Sequence, residues 1–172
     1  MASTDRELLL ALYNATDGAN WTNTTGWGTD ADLSQWYGVG VNDQGRVVKL
    51  ALSDNNLRGP IPPELGNLGA LKTLDLGINE LTGLIPPELG SFSALQHLDF
   101  RNNQLSGHIP PQLGDLGALR YLSLSNNKLD GAIPAQLGAF SKLTQLLLSW
   151  NQLGGPIPPE LGNLGALKTF SL

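Results

Sequence analysis

Residues 95–118 read LQHLDFRNNQLSGHIPPQLGDLGA, and this stretch decides the fold. Counted from Leu95, it places Leu98 and Phe100 at positions 4 and 6, Asn103 at 9, Leu105 at 11 and Gly107 at 13. Ile109 and Pro110 follow at 15 and 16, and Leu113 and Gly114 at 19 and 20. The same residue types recur every 24 residues, in rows beginning at Val47, Leu71, Leu95, Leu119 and Leu143; a sixth row begins at Leu167 and runs to Leu172. Position 9 is Asn in every full row: Asn55, Asn79, Asn103, Asn127 and Asn151. A fixed period in this range marks an architecture of stacked repeats.

The row has a direct physical reading. Apolar residues at positions 4 and 6 alternate with others, so the row opens with a short strand that turns one face inward. One strand per row, always in the same sense, predicts a parallel sheet with strands about 4.8 Å apart. The Asn falls where the strand ends, and a buried amide there is able to bond its own coil and the next, forming a ladder. Gly at position 13 and Ile-Pro at 15 and 16 bend the return path, and Pro excludes a regular helix interior. The return leg, such as Pro63-Glu64-Leu65-Gly66, predicts a single 3₁₀ turn ended by its Gly. No row buries its leucines alone; stacked neighbours do it.

These residues resemble the plant-type leucine-rich repeat, LxxLxLxxNxLxGxIPxxLGxLxx, over residues 47–172. The resemblance implies an α/β solenoid: a right-handed superhelix with a concave parallel β-sheet, a 3₁₀ and irregular convex side, and an N-terminal helical cap. It also implies that the concave face binds another protein or a peptide. The division is then a cap over residues 1–46 and, over 47–172, five full repeats and a partial sixth.

Within the cap, Thr4 and Glu7 fit a helix capping box. Leu8, Leu9, Leu12 and Tyr13 give an apolar stripe that ends near Thr16, before Asp17-Gly18. Trp21, Trp27 and Trp36 follow; they read as a hydrophobic plug over the first coil, with an aromatic ligand box as the alternative. Val39 and Val41, the turn Asn42-Asp43-Gln44-Gly45, and Val47 and Val48 read as a hairpin feeding the first repeat strand.

Composition excludes several classes. The chain has 172 residues, 10 Lys plus Arg, 15 Asp plus Glu and a net charge of −5, a balance that argues against nucleic acid or an anionic membrane as partner. No apolar run approaches the ~18 residues of a membrane span. With no Cys there is no disulfide, no thiolate metal site and no Cys nucleophile. The family's cap pattern, roughly C-x-W-x-GV-x-C, has a disulfide pair where Ser34 and Val41 stand in this sequence. A Cys-free cap suits a reducing compartment. Cysteine-less arrays of this kind resemble the repeat domains of algal Roco-type GTPases, large intracellular proteins, although no GxxxxGK[ST] sequence occurs. The expectation is therefore a cytoplasmic module of a larger signalling protein; the alternative is the extracellular ectodomain of a receptor-kinase-like protein. The sequons at Asn14, Asn20 and Asn23 would serve that alternative.

The rows differ where they face outward. Residues 59–73 and 155–169 are identical, GPIPPELGNLGALKT in both. Positions 3, 5, 7 and 8 vary instead, and they supply the candidate binding residues Asp75, Ile78, His97, Asp99, Arg101, Tyr121, Gln145, Leu147 and Trp150. Copying preserves stacking, while variation at outward points changes chemistry without touching the core. Drift at solvated sites predicts small polar residues, which Ile78, His97, Tyr121, Leu147 and Trp150 are not. An enzyme reading starts from Asp75 and Asp99 on adjacent strands, ~5 Å apart as in a retaining glycosidase pair. Arg101 sits beside Asp99 to neutralise it, and an open sheet has no pocket to shift pKa values. The expected function is non-catalytic, with no metal at Asp75, His97 and Asp99 and no cofactor. The sixth row breaks off with Phe170 and Leu172 beside an unpaired strand edge. Further repeats would cover that edge, or a second copy would, tail to tail through residues 143–172.

Overall fold

Thr4 opens the first helix with a reciprocal cap: its hydroxyl accepts the Glu7 N–H, and the Glu7 carboxylate accepts the Thr4 N–H. Helix α1, Asp5–Ala15, follows and buries Leu8, Leu9 and Leu12. The computed structural model describes all 172 residues. At the helix end the Thr16 hydroxyl and N–H both donate to the Leu12 carbonyl. Trp21, Trp27 and Trp36 are buried in a chain of ring contacts, 4.8 Å between the first two centroids and 4.9 Å between the last two. Their indole N–H groups donate to the carbonyls of Thr16, Tyr37 and Ala31. Large rings buried with their one polar atom satisfied make a plug rather than an open aromatic box. Strand β1, Val39–Val41, pairs antiparallel with β2, Val47–Ala51. The Asp5 carboxylate accepts from Arg46 and from the Val47 N–H, which ties α1 to this hairpin.

Two parallel sheets run through the repeats. The first continues from β2 through β4 (Thr73–Asp75), β6 (His97–Asp99), β8 (Tyr121–Ser123), β10 (Gln145–Leu147) and β12 (Thr169–Ser171). Its register pairs like with like, Leu74 with Leu98 and Leu98 with Leu122, so the 24-residue period becomes a column of stacked leucines. A second sheet of five strands comprises β3 (Arg58–Pro60), β5 (Glu80–Leu84), β7 (Gln104–His108), β9 (Lys128–Gly131) and β11 (Gln152–Leu153). Sequence reading treats this region as a bend, because Gly and Pro mask a strand of so few residues. The backbone Gly contributes its freedom there: Gly107 holds φ +75° within β7.

The convex legs are 3₁₀ turns of five residues, Pro63–Asn67 and its equivalents at 87–91, 111–115, 135–139 and 159–163. Their Gly does not end the turn, as the sequence reading expects; it lies inside it. Gly66 faces the carbonyl of Glu88 in the next coil so closely that a Cβ would collide, and Gly90, Gly114 and Gly138 face Gln112, Gln136 and Glu160 in the same way. The position is glycine because adjacent coils touch there.

The core is one cluster of 40 residues running from Leu8 to Leu164. Burial of the repeated core positions weakens in the last coil, where Ile157, Phe170 and Leu172 are exposed. No helix is long and apolar enough to cross a membrane.

Candidate recognition face

The strands β2, β4, β6, β8 and β10 of the first sheet each lead into a corner built by the position-9 Asn. The Asn127 amide donates to the carbonyls of Phe100 and Leu124, and its carbonyl accepts the Leu105 N–H of the coil before. Asn79, Asn103 and Asn151 make the equivalent bonds. Asn55 instead holds the N–H and carbonyl of Asn23, so the first corner grips the cap. These bonds use side-chain amides to satisfy buried backbone groups that no strand reaches.

On this frame the parallel register aligns the varied positions into rows. One row runs Lys49, Thr73, His97, Tyr121, Gln145; the next runs Ala51, Asp75, Asp99, Ser123, Leu147. His97 and Tyr121 stack face to face, 4.3 Å between centroids and 5° between planes. The Arg101 guanidinium donates to Asp99 Oδ2 at 2.7 Å, while Asp99 Oδ1 accepts the Arg101 N–H. Asp75 uses its Oδ1 in the same way on the Gly77 N–H. His97, Asp99, Arg101 and Tyr121 therefore form one contiguous centre, with half-buried Asp75 on one side and half-buried Gln145 and Leu147 on the other.

The centre is less open to water than the sequence suggests. Asp99 and Ser123 point outward, yet each is only 1% exposed. Long neighbours on a concave sheet cover the short side chains between them. Burial pushes the Asp99 carboxyl above the usual range, outweighing the opposing pull of the Arg101 N–H and charge. Asp99 in turn raises Arg101, with Tyr121 and Asp75 adding less. The Ser123 hydroxyl is buried without a hydrogen-bond partner. Asp75, His97 and Asp99 do not gather as a group able to hold a metal ion.

Ile78 and Trp150 lie apart from this centre, at the rim where the strands turn. Both are exposed, 41% and 82%. Asn102 and Asn126 stand between them in the same row, and the Asn126 amide donates to Asn102 Oδ1 at 3.0 Å. Sequence reasoning did not single out these two asparagines, although their row mixes Asp and Asn with Ile and Trp. At the far end of the array a cleft of about 640 Å³ opens beside Leu148, Trp150, Leu153, Ile157 and Leu172.

Comparison with known proteins agrees with this geometry. Residues 45–105 match one leucine-rich repeat family model, and residues 118–140 and 142–164 match a second. A probable leucine-rich repeat receptor-like protein kinase of Arabidopsis thaliana is 37% identical over 79 residues, a match covering 39% of this chain and only 8% of that much longer relative. Among solved structures, a chain of the Arabidopsis thaliana BIR3–SERK2 complex superposes with a TM-score of 0.81 at 31% identity, covering 96% of this chain and 92% of that one. The ectodomain of the Arabidopsis receptor kinase HAESA, in complex with an N-terminally lengthened IDA peptide hormone ligand, gives 0.87 at 33% identity, over 98% of this chain and 28% of that one.

Proposed function

This chain belongs to the leucine-rich repeat family, and on that premise we propose that it is a non-catalytic recognition module that binds a protein or peptide on its concave face. One observation carries the reading: the frame is copied from row to row, while the concave rows differ and bring His97, Asp99, Arg101 and Tyr121 into one contiguous centre. Aromatic and Arg side chains on a rigid surface are the usual anchors of an interface. The HAESA ectodomain was solved with a peptide bound, and 98% of this chain resembles 28% of that ectodomain. That likeness favours an extracellular, ectodomain-like setting for the module. These likenesses lend the Roco-like reading no support; an intracellular setting rests on the Cys-free cap alone, with Ser34 and Val41 where the family carries a disulfide.

The test is selection of a phage-displayed library of random linear peptides against the whole chain. Bound peptides should lose at least about tenfold in affinity to Tyr121→Ala and to Arg101→Ala, the loss expected at a hot spot. Convex-side Glu88→Ala should leave them unchanged. Equal losses on the convex side, with the concave variants silent, would assign the binding elsewhere.

A further inference from the structure

The corners that end the concave strands share one conformation. Asp54, Ile78, Asn102, Asn126 and Trp150 all have φ between 53° and 59°, in the left-handed region. Their backbone groups are committed to the fold: the N–H groups of Ile78, Asn102 and Asn126 donate to the carbonyls of Arg101, Ser125 and Ser149 in the next coil. The carbonyls of Asn102, Asn126 and Trp150 accept from Asn79, Asn103 and Asn127. What the fold needs from this row is a residue at ease with positive φ, and Asn or Asp meets that need.

Ile78 and Trp150 do not. A β-branched or bulky side chain in this region is an outlier that surrounding structure must hold in place. Both are also exposed apolar groups, so each is unfavourable twice over at a position where Asn stands in neighbouring rows. Their place is regular. They stand three coils apart, about 14 Å at ~4.8 Å per strand, and an extended chain rising ~3.4 Å per residue covers that span in four residues. Residues four apart on an extended chain share a face. Between the two, Asn126 Nδ2 is joined to Asn102 Oδ1, which leaves Asn102 Nδ2 as a free donor and Asn126 Oδ1 as a free acceptor. One donor and one acceptor side by side match the C=O and N–H of a peptide backbone.

We propose that this row of left-handed corners is a docking strip for an extended segment of a partner protein, with Ile78 and Trp150 holding two apolar side chains four residues apart and Asn102 and Asn126 bonding the main chain between them. The inference rests on the proposed peptide-binding function and names the edge of the concave face where the ligand lies.

The same peptide library tests it, read against Ile78→Asn, Trp150→Asn and the double variant. Selected peptides should share two apolar residues at spacing four. Their affinity should fall at least about tenfold with the double variant. Both single variants should melt at or above the parent temperature, because Asn relieves the corner. Peptides lost on Tyr121→Ala but indifferent to the double variant would overturn the strip and leave the function standing. Absence of any bound peptide would overturn both. A lower melting temperature for Trp150→Asn would show that Trp150 packs the coil instead, and would remove it from the strip. Sedimentation of the parent as a dimer that Trp150→Asn dissolves would give the site to a second copy of the chain and overturn the peptide assignment.

Discussion

At the scale of single residues, the concave face sets charge against burial. Asp99 is paired with Arg101 at 2.7 Å but is almost wholly covered, and burial is the largest influence on its carboxyl. The folded protein therefore holds a proton on Asp99 at higher pH than the unfolded chain does. Above that raised value the full penalty of burying the charge is present; as pH falls through it toward the ordinary carboxylate range, the penalty is relieved. Asp99→Asn removes the titration. The parent should gain stability relative to Asp99→Asn as pH is lowered over this window, measured as a difference in Tm across a pH series. A parent Tm that stays level with, or falls against, that of Asp99→Asn on acidification would show that the Arg101 pairing outweighs burial. The ladder asparagines carry a different cost. Asn127→Ala would strand the Leu105 N–H, at roughly 1–3 kcal/mol for a buried group left unpaired, while the Phe100 and Leu124 carbonyls keep the amides of Asn103 and Asn151. Urea denaturation at neutral pH should show a loss of that size; a negligible loss would mean that water replaces the amide.

At the scale of elements, the fold was legible wherever a residue type recurs with a fixed partner. Leu74, Leu98 and Leu122 announce a strand because they repeat and alternate, and the stacked register follows from the period alone. The capping box of α1 is equally local, one hydroxyl and one carboxylate three residues apart. The second sheet was not legible, because β5 and β7 are Gly-containing and flanked by Pro, and their pairing depends on the neighbouring coil. The candidate centre was legible only in part: its residues could be named, but not the His97–Tyr121 stack or the covering of Asp99, which arise when rows meet. The glycine of the convex turn shows the same dependence and gives a controlled test. Gly90 faces the Gln112 carbonyl of the next coil, whereas Gly162 has nothing within 4 Å. Gly90→Ala should force the coils apart and cost about 1–3 kcal/mol, as overpacking does, while Gly162→Ala should be neutral or slightly stabilising through the unfolded chain. Equal effects at the two sites would mean that the glycine serves the turn itself and not the contact between coils.

At the scale of the whole molecule, the chain is a one-dimensional stack whose coils each touch only their neighbours, so stability passes along it from an end that is well closed. The cap provides that end. Helix α1 packs on the first 3₁₀ turn, Asn55 holds Asn23, and Trp36 is 2% exposed with its indole N–H bonded to Ala31 and the Arg6 guanidinium 5.0 Å from its ring. The opposite end is looser: Ile157, Phe170 and Leu172 are exposed while their equivalents in the middle coils are covered. Amide hydrogen exchange should therefore be slowest in β6 and β8 and fastest in β12, with the cap close to the slow end. Trp36→Ala should cost about 3–5 kcal/mol, the usual loss for truncating a large buried ring. Because coils are coupled to their neighbours, that loss should spread: exchange should accelerate first in β1 and β2, then in β4, while β10 and β12 change least. A Tm that barely moves, or acceleration confined to the cap, would mean that the repeats fold without it and that the tryptophan cluster serves something other than the closed end of the stack.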